Sequence, residues 1–107
     1  MRLWTVTLHP QAEPELQALP RDMQARFLRI AEMLETFGPQ QVGMPHVRPL
    51  VGKLWEMRMT GRDGISRAVY AAMQGRRLLV LHVFTKKTQT TPRSAIDTAL
   101  KRLESTP

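Results

Sequence analysis

LWEMRMTGRDGISRAVYAAMQGRRLLVLHVFTKK, residues Leu54–Lys87, reads as three strands joined by two short turns. In the first, residues 54–60, Trp55, Met57 and Met59 alternate with Glu56 and Arg58, so the two sets project from opposite faces of a strand. Gly61–Arg62–Asp63–Gly64 has the composition of a hairpin turn. Ser66–Met73 is the second strand, closed by Gln74–Gly75, and Arg76–Lys87 is the third. Its run Leu78–Phe84 is apolar on both faces except at His82, the pattern of a central strand. Connections this short make the three an antiparallel meander.

Toward the N-terminus, Leu3–Leu8 is β-branched and aromatic, with Trp4, Val6 and Leu8 on one side, and predicts a strand ended by His9–Pro10. A short helix follows up to Ala18, beginning near Glu13 because Pro14 is acceptable only in a first turn. Arg21–Phe37 carries Met23, Phe27, Ile30, Leu34 and Phe37 at steps of four and three, one apolar stripe at helical period. Gly38–Pro39 ends it. Residues 38–52 hold six Gly or Pro in fifteen positions and read as an irregular crossing loop. Beyond the meander, Thr91 as N-cap and Pro92 in the first turn open a last helix with Ile96, Ala99, Leu100 and Leu103 on its buried face. The expected order is β-α-α-β-β-β-α. This is an α+β domain over residues 1–107, with an N-terminal helical hairpin on one face of a mainly antiparallel sheet and a C-terminal helix.

The chain has no cysteine, which excludes disulfide scaffolds, thiolate metal sites and thiol nucleophiles and points to a reducing cytoplasm. No apolar stretch is long enough for a bilayer and Met1–Arg2–Leu3 opens no signal peptide, so no membrane partner is expected. Charge is uneven. Residues 1–45 carry four Arg against five acids, a balance of −1, whereas residues 46–107 carry twelve Lys and Arg against four acids, a balance of +8. A half-basic small domain suits a polyanion, RNA or DNA before an anionic membrane, although a solvated basic face has the same composition.

His9, His46 and His82 are scattered, no Gly-rich phosphate loop follows a strand, and no serine lies in a G-x-S-x-G setting. Metal hydrolysis and serine catalysis lose support, and no metal or cofactor is expected. What remains is a set of polar groups on strands. Glu56 and Arg58 share a face, Arg67 lies across the glycine-containing turn, and Lys86 and Lys87 end the strand that runs beside it. One carboxylate and several cations could meet on a face the helices leave uncovered. RNA cleavage without metal needs that inventory: a base for the 2′-OH, cations for the charge at phosphorus, and a proton donor for the 5′-oxygen. A cross-strand ion pair and a solvated strand end are the plainer alternative. Tyr70 reads as half-buried packing, His82 as a satisfied core histidine and the methionines as core filler. Lys53, Arg76, Arg77, Arg93, Lys101 and Arg102 read as exposed cations suited to RNA phosphates.

The stretch Leu50–Val51–Gly52–Lys53–Leu54–Trp55–Glu56–Met57–Arg58 resembles the L-x-G-x-L-[YW]-E-[LM]-R segment of phage-derived RelE/HigB-like toxins. Ser66–Arg67–Ala68–Val69–Tyr70 is similar to their YRv-Y strand, and residues 82–92 to their h-x-F-x-KKT-x-x-TP ending. The three segments fall in order over nearly the whole chain. The resemblance implies a toxin of a type II toxin–antitoxin module, a ribosome-dependent endoribonuclease that cuts mRNA without metal and is blocked by a small helix-turn-helix antitoxin. It implies Glu56 as general base, Arg58 and Arg67 as phosphate and transition-state cations, and Lys86 or Lys87 as acid or further charge stabiliser. Ser66 departs from the pattern, as does the lack of a His or Tyr acid after the last strand. A lysine acid there needs its pKa lowered by neighbouring cations, or it contributes charge alone. A non-catalytic RNA- or ribosome-binding inhibitor of translation is the alternative. A DNA-binding regulator is disfavoured, since the two N-terminal helices carry acids and an apolar stripe instead of a helix-turn-helix.

Overall fold

The computed structural model describes residues 2–86 and 90–107, Lys86 by its backbone. The elements are β1 (Thr5–Leu8), α1 (Ala12–Gln17), α2 (Arg21–Phe37), β2 (Val47–Val51), β3 (Leu54–Gly61), β4 (Gly64–Met73), β5 (Arg77–Lys86) and α3 (Arg93–Glu104). They form a five-stranded sheet in the order β1-β5-β4-β3-β2, parallel only where β1 meets β5. The α+β class and the antiparallel meander follow the sequence reading.

One element corrects it. The expected order gains a strand, because Val47–Val51 lies within the stretch read as an irregular loop and pairs antiparallel with β3. Pro49 is tolerated because β2 is an edge strand, where its missing N–H costs no ladder bond, and the register shifts between Pro49 and Val51. Pro14 falls third in α1, where no backbone N–H has an intrahelical acceptor to lose.

The α1–α2 hairpin packs on one sheet face. Met23, Phe27, Ile30 and Leu34 are buried there against Met57, Met59, Ala68, Tyr70, Leu78 and Val80. Phe37, expected on the same stripe, is 58% exposed, since it is the last residue of α2 and lies past the end of that contact. The β3–β4 turn is held against α2: Asp22 Oδ2 accepts the Arg62 N–H at 2.7 Å, and a Cβ on Gly61 would stand 2.7 Å from Met23 Cγ. That close approach seats the hairpin of β3 and β4, which carry the acidic and basic residues of interest, on α2. No helix among the described residues is long and apolar enough to cross a membrane.

The other face is not left open, contrary to expectation. α3 lies on it, with Ala99 buried among Leu54, Val69, Ala71, Leu79 and Leu81 and with Ile96 and Leu103 partly covered. Leu100, read as buried, remains 38% exposed. Thr91 does not cap the helix. Pro92 is the N-cap residue, without a side-chain bond, and the Thr91 hydroxyl is used elsewhere.

Candidate functional site

The register brings the polar strand residues together. Arg58 stands directly across from Arg67 on β3 and β4, and Glu56 directly across from Arg48 on β3 and β2. All four lie on the α3 side of the sheet, opposite Met57 and Ala68. Glu56 is 0% exposed and Arg67 1%. Glu56 Oε1 accepts from Arg48 Nε at 2.5 Å and from Arg67 Nη1 at 2.6 Å, and its Oε2 accepts from the Thr91 hydroxyl at 2.6 Å. A carboxylate this deeply buried is stable only with such donors, and here two guanidiniums and a hydroxyl surround it. Arg58 is half-buried, and among the described residues its Nε is buried without an acceptor. Three guanidiniums against one carboxylate leave two positive charges in excess. The carboxylate is engaged in holding these cations in place, in a cluster that is positive as a whole.

The remaining residues singled out in the sequence fall in different places. Lys86 ends β5 opposite Ile65, two positions along from Arg67, and Lys87 lies outside the described residues. Lys53 and Arg76 are exposed in the β2–β3 and β4–β5 turns, and Arg77 begins β5. Arg93 is exposed and pairs with Asp97 one turn later at 3.1 Å, and Lys101 is exposed on α3. Arg102 turns inward instead, donating to both oxygens of Glu15 at 2.8 and 2.9 Å and to the Leu81 carbonyl at 2.9 Å. Its charge is spent within the fold, so it is a poor phosphate contact. Arg48 and Thr91 are the partners that the sequence reading missed. Arg48 sits in the segment taken for a loop, and Thr91 had a nearer use as a cap; neither carries a local signal for Glu56.

Glu15 is the centre of a second charged cluster, joining α1, β5 and α3. Besides Arg102 it accepts the Val83 N–H at 3.0 Å, and His82 Nδ1 lies 3.0 Å from its Oε1. His82 is thereby satisfied, as expected of a core histidine, and its ring stacks on Phe84 with centroids 4.9 Å apart. Burial alone raises the Glu15 pKa. The bonds from Arg102, Val83 and His82 outweigh it and hold the carboxyl below its ordinary value. The folded state then binds this proton less readily than the unfolded chain does. Its contribution to stability is complete above the ordinary carboxylate range and fades as pH falls through the lowered folded value. Urea midpoints of the parent should therefore drop between neutral pH and pH of about 3 by more than those of Glu15→Gln. An equal drop in both would show that the cluster has no such role. Among the described residues no group of three or more His, Asp or Glu could hold a metal ion.

Residues 14–104 match the family described as "Phage derived protein Gp49-like". Two solved structures share the fold. The archaeal RelE in the RelE–RelB complex from Pyrococcus horikoshii OT3 is 26% identical with a TM-score of 0.55, over 77% of this chain and 93% of that one. A double arginine-to-alanine mutant of the E. coli toxin RelE in the free state is 15% identical with a TM-score of 0.60, over 96% and 99%. No curated protein matches the chain.

Proposed function

Since the chain belongs to the family of phage-derived Gp49-like proteins, with the fold of RelE toxins, we propose that it is the toxin of a type II toxin–antitoxin module. In this reading one domain, residues 1–107, enters the ribosome in the cytoplasm, cuts mRNA without a metal ion and so arrests translation. The observation that carries the reading is the cluster of Arg48, Arg58 and Arg67 about the single carboxylate of Glu56. Arg58 and Arg67 bind the scissile phosphate and strengthen their hold as charge develops on its oxygens. Lys86 and Lys87, at and just past the end of β5, add charge and supply the proton for the leaving 5′-oxygen. Glu56 positions Arg67, and it takes the 2′-OH proton only when the Thr91 hydroxyl leaves its Oε2. In the free protein Glu56 and Arg67 are covered, so naked RNA finds no complete site. The ribosome supplies the opening and the alignment. The partner that silences the toxin is a small helix-turn-helix antitoxin encoded beside it; a RelE–RelB complex among the similar structures supports an antitoxin partner in general.

Induction of the gene alone should arrest bacterial growth, and co-expression of its neighbour should restore it. Purified protein should leave free mRNA intact and yield discrete cuts on programmed ribosomes, mapped by primer extension. The saturated, buried state of Glu56 favours one second reading, in which the protein blocks the ribosome by occupancy. Arrest with uncut mRNA would select that reading, and normal growth at verified soluble expression would remove both.

A further inference from the structure

The sheet face opposite the arginine cluster holds an open cavity of about 190 Å³ lined by Trp4, Pro39, Gln40, Trp55, Tyr70, Ala72 and Leu78. The chain has two tryptophans and one tyrosine, and all three line this space. Trp55 is 37% exposed and so offers a ring face at the mouth, whereas Tyr70 is 1% exposed at the back. The Tyr70 hydroxyl is buried without a hydrogen-bond partner among the described residues. Burial pushes its pKa up, so it stays protonated and remains a donor in want of an acceptor.

Two things identify the occupant. The first is shape: a cavity of roughly 150 Å³ holds one benzene ring, so this one takes a single planar ring system between aromatic walls. The second is charge. The turns closing this end of the sheet carry Lys53 and Arg76 and no acidic residue. Pairing runs across that end from Thr5 to Arg77, from Arg77 to Met73 and from Ala71 to Leu54, so Lys53 and Arg76, in the turns between these strands, border the strands that line the cavity. An aromatic slot with a buried donor and a basic rim suits a nucleobase with its phosphates. An apolar protein side chain would leave the Tyr70 hydroxyl unsatisfied and the rim charges unused.

We propose that this cavity is a stacking site for one base of single-stranded RNA, with Trp55 against the ring, the Tyr70 hydroxyl donating to a ring nitrogen or carbonyl oxygen, and Lys53 and Arg76 holding the flanking phosphates. The inference rests on the reading of the protein as an RNA-directed toxin and adds a second contact remote from the cleavage cluster. It holds RNA on the face of the sheet opposite the cleavage cluster and does not enter the site of cutting.

Both tryptophans lie in the cavity, so intrinsic fluorescence reports on it alone. A short oligoadenylate or oligouridylate should quench the emission of the full chain, and inorganic polyphosphate of equal charge should not. By anisotropy of a labelled oligonucleotide, Trp55→Ala should weaken binding about five- to a hundredfold. Tyr70→Phe keeps the ring, folds as the parent by urea denaturation, and should weaken binding about two- to tenfold. RNA binding without quenching, and undiminished in Trp55→Ala, would overturn the site while leaving the toxin reading intact. Quenching by the antitoxin and not by RNA would make the cavity a protein interface and overturn it equally. If the labelled RNA binds neither the free chain nor its ribosome-engaged form, the RNA reading itself fails, and the site with it.

Discussion

Glu56→Ala is expected to lower the free energy of unfolding by about 3–5 kcal/mol, a large part of the roughly 5–15 kcal/mol that holds a small domain. Removing the carboxylate strips Arg48 and Arg67 of the acceptor they share and leaves Arg67, 1% exposed, as a buried cation that has lost its carboxylate. Arg58, directly across from Arg67, then adds unopposed repulsion. The Thr91 hydroxyl loses its acceptor as well, and with it the tie between β3 and the start of α3. Urea denaturation should show a much lower midpoint, or the variant should collect in the insoluble fraction. Glu56→Gln keeps one acceptor oxygen and should fall between the two. The double change Glu56→Gln with Arg67→Met removes both charges at similar volume and should recover most of the loss, because the amide oxygen still accepts from Arg48 or Thr91 and no buried cation is left facing it from β4. A midpoint for Glu56→Ala equal to the parent's would mean that the cage contributes nothing to the fold. The same reasoning applies to Arg67→Ala, which deprives Glu56 of a guanidinium. Loss of toxicity in either single variant therefore reports folding as well as chemistry.

That double role is what the sequence could not display. Alternation along residues 54–60 was enough to place Glu56 and Arg58 on one face and Met57 and Met59 on the other, since a strand's period of two is local. The short turns were enough for the meander. Burial of the polar face was not legible, because it depends on where α3 comes to rest, some thirty-five residues further on; Glu56 meets Thr91 at a separation of 35. Arg48 was hidden for a different reason. Its strand contains Pro49 and lies in a Gly- and Pro-rich segment, and only an edge position with a register shift makes a proline strand possible there. Long-range pairings of this kind also explain Glu15. Its partners Val83 and Arg102 lie 68 and 87 residues away, so nothing local to α1 marks this acid out.

The resemblance to phage-derived RelE-like toxins was legible from three short segments, and the family match over residues 14–104 agrees with it. Roles for single residues are harder to read from such segments. Arg67 was implied as a phosphate and transition-state cation, yet it is among the largest fully buried side chains of the described residues. A segment that gives residue types in order says nothing of which guanidinium is committed to an internal carboxylate and which is not. Arg67 is of the first kind and Arg58 of the second.

Arg58 therefore gives the cleaner test of the proposed chemistry. Its Nε is buried without an acceptor among the described residues, and it stands against a second guanidinium across the strand pair. A buried donor left unsatisfied costs about 1–3 kcal/mol, and a fold that retains one has a use for it in a bound state. Arg58→Met keeps the length and apolar stem of the side chain while removing both the orphaned donor and the repulsion. It should raise stability by about 1 kcal/mol, a rise of about 4–8 °C in Tm for a domain of this size. The same change removes a cation that would strengthen its bond as the phosphate gains charge, so single-turnover cleavage of mRNA on programmed ribosomes should fall about 10²–10³-fold. Arg58→Lys should restore part of the rate, since a point charge attracts the oxyanion but cannot grip two oxygens at once. Stability and activity are thus expected to move in opposite directions at one position, which no purely structural role produces. A variant that is both destabilised and fully able to cut would place Arg58 in the packing and the scissile phosphate elsewhere on the basic half of the chain.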